Sequence, residues 1–198
     1  MSAVARLGIF GGTFDPIHVG HLIAAEEARL AVPLERVFFM PSGLPPHRSK
    51  PPVASAEHRT RMVALAIDGH PDFLLDDREV RAGRSVYTVE TLEELRAHHG
   101  PGCALHLIIG GDSLLDLPMW RDPGRILDLA TIVVIERPGS PLEGADPALL
   151  ARAVRVPGAR VAVSSSGIRD RLRAGQPVRY LVPEAVRSYI ARNRLYTG

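Results

Sequence analysis

At 198 residues, with 45% apolar and 23% charged residues and a formal charge of +2, the chain is long enough to bury a sizeable core and suits one domain over residues 1–198. The charge balance does not demand nucleic acid and is compatible with an anionic small molecule; no run approaches the ~20 apolar residues that cross a bilayer. A single cysteine, Cys103, excludes an internal disulfide and points to reduced, cytoplasmic surroundings, while composition leaves a homo-oligomer open.

Val4–Phe10 is a short apolar run broken by Arg6 and followed at once by glycines, which reads as a buried strand rather than a signal peptide. Arg36–Met40 reads as a second strand, and Pro41–Pro52 as the loop that leaves it. Met62, Leu65 and Ala66 fall at i, i+3, i+4 on a helix; Val89, Leu92 and Leu95 mark another that Gly100-Pro101-Gly102 ends. Leu105–Ile109, Thr131–Ile135 and a short run at Arg160–Val163 complete the expected strands, with Gly139–Pro147 as a loop. The last helix carries Val186, Tyr189 and Ile190, with Pro183 just inside its start. Strands separated by helices predict an α/β fold: a Rossmann-like, doubly wound open sheet, mainly parallel, with helices on both faces. Such sheets bind ligands beyond the carboxyl ends of the strands, where strand order reverses.

The first strand runs into Gly11-Gly12-Thr13-Phe14-Asp15-Pro16-Ile17-His18-Val19-Gly20-His21. Glycines here let the backbone approach a ligand, and the helix that follows offers unpaired N–H groups to an anion. The spacing is neither G-x-G-x-x-G nor a Walker loop, since no lysine follows. His18 and His21, three apart at the helix start, take the lysine's place and project from one side of it. There each could donate to phosphate oxygens, and a bound triphosphate would favour their charged form. A zinc site is the rival, but no third ligand stands at suitable spacing; Asp15 is better read as a turn or cap residue beside Pro16. Gly20 is expected to leave room for the nucleotide.

A second anion site is expected at Val163-Ser164-Ser165-Ser166-Gly167-Ile168-Arg169. The serines suit a helix start, and the Arg169 fork can bind two oxygens at once. Taken alone, three serines would as readily cap a surface helix. Ile109-Gly110-Gly111-Asp112 closes another strand at the same sheet edge, where Asp112 could equally cap the next helix. Trp120, the lone tryptophan, would by itself be read as core. Cys103 is unsuited to nucleophilic attack in its apolar strand context.

The run from Gly11 to His21 resembles the signature of the H-x-G-H nucleotidyltransferases, and in particular the bacterial nicotinate-nucleotide adenylyltransferases. Val163–Arg169 is similar to their I-S-S-T-x-I-R, departing at Val163 and Ser166. Pro45-Pro46-His47-Arg48 matches P-P-H-[KR], and Ser85-Val86-Tyr87-Thr88 resembles S-Y-T with Val86 as one extra residue. The resemblance implies transfer of the adenylyl group of ATP to nicotinate mononucleotide, with Mg²⁺ entering on the substrate and no protein metal site. His18 and His21 would be catalytic. Gly11, Gly12, Thr13, Phe14, Gly110, Asp112, Ser165, Ser166 and Arg169 would bind ATP. Ser42, His47, Arg48, Thr88 and Trp120 would bind the mononucleotide. A phosphopantetheine enzyme, an enzyme for the amide mononucleotide and a non-catalytic nucleotide sensor are the alternatives; intact histidines and phosphate motifs argue against the last.

Overall fold

The computed structural model of the chain describes residues 5–44, 51–136, 142 and 144–197. In chain order these form β1 (Arg6–Gly12), α1 (Val19–Ala31), β2 (Arg36–Pro41), α2 (Ala56–Ile67), β3 (Phe73–Leu75), α3 (Arg78–Arg81), α4 (Thr88–His99), β4 (Ala104–Gly110) and α5 (Gly111–Asp116). A 3₁₀ turn at Leu117–Met119 leads to α6 (Pro123–Leu129), β5 (Ala130–Glu136), α7 (Pro147–Arg152), β6 (Val154–Pro157), α8 (Ser165–Arg173) and α9 (Glu184–Arg192). The six strands lie in the order β3-β2-β1-β4-β5-β6, and every pairing is parallel. The doubly wound sheet read from the sequence is therefore present, with its switch point between β1 and β4.

Alternation along the strands makes two cores. Leu7 and Ile9 of β1, Leu105, Leu107 and Ile109 of β4, and Ile132 and Val134 of β5 face α4, α5 and α6. Phe10, Ile108, Val133 and Ile135 face α1, α2, α8 and α9. Strands buried on both faces need apolar residues at successive positions, and each such side chain contributes about 1.5–3 kcal/mol. Gly8 answers a packing need: a Cβ there would lie 2.8 Å from Leu34 Cδ1 and 3.1 Å from Ile108 Cδ1.

Helix ends follow local chemistry. Ser55 accepts from the His58 N–H at the start of α2, Asp122 accepts from Arg125 N–H before Pro123, and Gly100, at φ 79°, closes α4. Pro183 sits one step earlier than expected, as the N-cap of α9. On α2 the buried face is Arg59, Met62, Val63 and Ile67, whereas Leu65 and Ala66 are only partly buried.

Two strands differ from expectation. The last strand is Val154–Pro157, which pairs with β5, and Arg160–Val163 forms none. In that segment Val161 N–H turns to Ala159 C=O at 2.8 Å and Val163 N–H to Val161 C=O at 3.0 Å, so donors a ladder would use are spent locally. Arg155 and Pro157 had masked the true edge strand, since charge and proline belong at sheet edges. The edge strand Phe73–Leu75 is too short to show a period. No helix among the described residues is long and apolar enough to cross a membrane.

Candidate active site

β1, β2 and β4 end side by side, with Gly12 beside Pro41 and Gly110 closing β4. Gly11 is exposed, and no atom lies within 4 Å of where its Cβ would be, so a ligand can approach the backbone there. Gly12 and the half-buried Thr13 continue the turn. Phe14, expected at ATP, instead buries its ring, 2% exposed, edge-on to Phe10 and to His21. Its backbone adopts φ 50°. The Asp15–Pro16 peptide is cis.

His18 occupies the N-cap of α1 and is 2% exposed. Its backbone N–H donates to His21 Nδ1 at 3.2 Å, and the two rings stack with centroids 3.7 Å apart. The pair thus shares the helix's first turn, as its spacing required. Above Gly20 the expected room for a nucleotide is filled: a Cβ there would lie 2.8 Å from Val163 Cγ1 and 3.1 Å from His18 Nδ1. Gly20 lets the segment before α8 pack on the histidine pair.

That packing joins the two anion motifs. Ser165 Oγ donates to Pro16 C=O at 2.9 Å, and Arg169 Nη1 donates to Asp15 C=O at 2.7 Å. Ser164 caps α8 by accepting from Gly167 N–H at 3.1 Å and lies 3.2 Å from the exposed Ser166 hydroxyl. The N-termini of α1 and α8 are therefore brought together, an arrangement whose N–H groups and positive dipole ends could receive an anion. Arg169 Nε is buried and has no protein hydrogen-bond partner among the described residues, which fits a site built for an added acceptor.

The remaining assigned residues lie around this edge. Gly110 is the N-cap of α5, with Asp112 exposed in its first turn rather than capping it. Thr88 is the first residue of α4, and Tyr87 holds the cap position. Arg121 lies over the Tyr87 ring at 4.7 Å and meets Glu90 at 3.4 Å, tying the segment that carries the half-buried Trp120 to the start of α4. Ser42 N–H donates to Gly12 C=O at 2.9 Å, and its buried Oγ has no protein partner among the described residues. His47 and Arg48 fall outside the described residues.

Residues 9–171 match the cytidylyltransferase-like family model. The probable nicotinate-nucleotide adenylyltransferase of Thermomicrobium roseum is 42% identical, over 98% of this chain and 92% of its own length. Its counterpart in Rubrobacter xylanophilus is 46% identical, over 96% and 92%. This chain is a cytidylyltransferase-like protein of the nicotinate-nucleotide adenylyltransferase family. The fold agrees: a solved Plasmodium falciparum nicotinic acid mononucleotide adenylyltransferase, complexed with NaAD, matches with a TM-score of 0.79 at 19% identity over 97% of each chain.

The enzyme also contains a buried polar network that its sequence did not announce. Arg59, 1% exposed, donates to Thr13 C=O at 2.7 Å, Gly43 C=O at 3.0 Å and Ala54 C=O at 3.3 Å. One guanidinium thus fixes the first turn, the loop after β2 and the entry to α2. Asp15, read earlier as a local turn residue, accepts from Val53 N–H at 2.7 Å and Ala54 N–H at 3.1 Å, and from Tyr196 Oη at 2.7 Å. The one available signal was Arg59 itself, a charged residue at i−3 and i−4 from Met62 and Val63 on the core-facing stripe of α2.

Glu79 of α3 accepts from Thr91 Oγ1 of α4 at 2.9 Å, and burial pushes its carboxyl up to about 7. A Cβ on Gly43 would come within 2.5 Å of the Glu79 carbonyl oxygen, so α3 packs directly on the loop after β2. Cys103 lies before β4, at the sheet edge away from the site, and burial raises its thiol pKa.

Proposed function

We propose that the enzyme transfers the adenylyl group of ATP to nicotinate mononucleotide, giving deamido-NAD and pyrophosphate in NAD biosynthesis. The observation that carries this is the junction of the two motifs, in which Ser165 and Arg169 bond the backbone of Pro16 and Asp15 beside the histidine pair. Two helix N-termini, two imidazoles and a guanidinium then surround one polyanion. Their donors can stabilise charge that grows on the leaving pyrophosphate and on the transferred group.

The acceptor's phosphate oxygen attacks the α-phosphorus of ATP in line, forming one P–O bond as the bond to pyrophosphate breaks. No covalent enzyme intermediate is needed; positioning supplies much of the rate. His18 and His21 contact the phosphates, Ser165, Ser166 and Arg169 hold the polyphosphate tail, and Gly11, Gly12 and Thr13 offer backbone. Gly110 and Asp112 take the ribose. Ser42, His47, Arg48, Thr88 and Trp120 bind the mononucleotide. Mg²⁺ is expected to enter with ATP. The described residues give it no cage, because they hold no group of three or more His, Cys, Asp or Glu suited to a metal and the site is lined mainly by donors; phosphate oxygens and water would hold the ion. We place the reaction in the cytoplasm, in keeping with a single, buried thiol.

The test is pyrophosphate release from ATP offered separately with nicotinate mononucleotide, nicotinamide mononucleotide and phosphopantetheine. Highest kcat/KM with the acid supports the reading. Equal or better turnover of another acceptor overturns the substrate, and no turnover with any of them overturns the enzyme class.

A further inference from the structure

The Asp15 carboxylate is 5% exposed and stands next to the guanidinium that the proposed function places on the ATP phosphates. Arg169 Nη1 bonds the Asp15 carbonyl at 2.7 Å yet lies 3.9 Å from Oδ2 of the same residue. A half-buried arginine, its side chain 21% exposed, beside a buried carboxylate would ordinarily close into a tight, two-pronged pair. Here the carboxylate is held back by other donors: Val53 N–H on Oδ2, and Ala54 N–H and Tyr196 Oη on Oδ1. The shortest bond on Oδ1 is the one from Tyr196, at 2.7 Å against 3.1 Å for Ala54.

Tyr196 is built into place for this contact. It lies beyond α9, 181 residues from Asp15, is 6% exposed within the core that also holds Phe14 and Ile17, and carries a backbone φ of 63°. A tyrosine held in the left-handed region marks a position its surroundings over-determine. Burial, followed by the bond to Asp15, raises its pKa, so the hydroxyl keeps its proton and donates.

We infer that Tyr196 is a positioning residue for the ATP half of the site: its hydroxyl anchors the Asp15 carboxylate away from Arg169 and so leaves the guanidinium aimed at phosphate. The inference rests on the reading that Arg169 meets ATP. Without the hydroxyl, Oδ1 keeps only its longer bond, the carboxylate turns toward Nη1, and Arg169 pairs within the protein in competition with the nucleotide.

The experiment is calorimetric titration of ATP into the full-length chain and its Tyr196→Phe, Tyr189→Phe, Arg169→Ala and Tyr196→Phe/Arg169→Ala variants, with steady-state KM for the mononucleotide alongside. Tyr189 is the control, because its hydroxyl lies 2.9 Å from His58 Nδ1 and bonds α9 to α2 without touching Asp15. Tyr196→Phe should weaken ATP binding about tenfold, the scale of one lost charge-assisted bond. Mononucleotide KM should not move, Tyr189→Phe should bind ATP as the unmodified chain does, and the double variant should bind no worse than Arg169→Ala alone. Weak binding by Arg169→Ala with normal binding by Tyr196→Phe overturns the positioning role and leaves the phosphate site standing. Normal binding by Arg169→Ala overturns both. Equal losses in the two tyrosine variants, or additive losses in the double variant, reduce Tyr196 to a packing residue and overturn the inference.

Discussion

The backbone N–H of His18 donates to Nδ1 of His21 at 3.2 Å, and the rings stack with 3.7 Å between centroids. A ring nitrogen that accepts carries no proton, so the remaining ring proton of His21 sits on Nε2. His21 thus caps its own helix with one nitrogen, and Nε2 is the nitrogen that would donate to phosphate in the proposed function. Full protonation of the ring would end that cap.

Separating those two duties gives the first prediction. Glutamine suits the third position of a capped helix, where its side chain can accept from the N-cap N–H. His21→Gln should keep the thermal midpoint near that of the unmodified chain while kcat falls on the order of 10²–10³-fold, the scale of one lost transition-state donor. Thermal unfolding and steady-state kinetics on the same preparation check it. Loss of the midpoint with retained kcat would reverse the assigned roles.

Gly20 supplies the second. Its Cβ would press on Val163 Cγ1 at 2.8 Å and on His18 Nδ1 at 3.1 Å, and valine, stiff at χ1, has little room to yield. Gly20→Ala should cost about 1–3 kcal/mol of stability, the usual penalty for overpacking, and should raise KM for ATP, since it wedges the two anion sites apart. A denaturation curve and ATP kinetics test both effects; neutral behaviour would mean the two motifs do not rest on each other.

The third concerns Arg59. Replacing it with methionine leaves the carbonyls of Thr13, Gly43 and Ala54 without that donor, and each buried acceptor left unsatisfied typically costs about 1–3 kcal/mol. Chemical denaturation should show that loss for Arg59→Met. A change below about 1 kcal/mol would show that the three loops hold their places without the guanidinium.

These residues separate what could be read from sequence from what could not. The places of His18, His21 and Ser165 in first turns of helices were legible, because each stands where a strand or turn runs into a helical pattern. Asp15, Arg59 and Tyr196 were not, because their partners lie far along the chain: 46 positions separate Arg59 from Thr13, and 181 separate Tyr196 from Asp15. Local pattern reports periodicity and caps, and pairs of that range exist only once the sheet is assembled. The same limit hid β6, whose Arg155 and Pro157 look unlike a strand until β5 lies beside them. The parallel order was more accessible, since βαβ alternation leaves few other solutions.

Glu79 sets the fourth prediction. Burial, the leading cause, pushes its folded carboxyl from the ordinary 4.5 up to about 7. Between those values the folded chain holds a proton that the unfolded chain has released, so stability declines as pH rises from about 4.5 to about 7 and is level above that. The part due to Glu79 is on the order of 2–3 kcal/mol. Glu79→Gln should flatten this slope while keeping an oxygen for Thr91. Midpoints of urea unfolding from pH 5 to 8 decide it; an unchanged slope would mean the carboxyl titrates elsewhere.

The claim on which the rest depends is that a single polyphosphate tail is gripped by the starts of both α1 and α8. A crystal structure of the chain with a non-hydrolysable ATP analogue tests it most directly. Phosphate oxygens within hydrogen-bond reach of the His18–His21 pair, the Ser165 and Ser166 N–H groups and Arg169 are the expected result. A triphosphate seated away from that junction, or gripped by only one of the two helix starts, would contradict it.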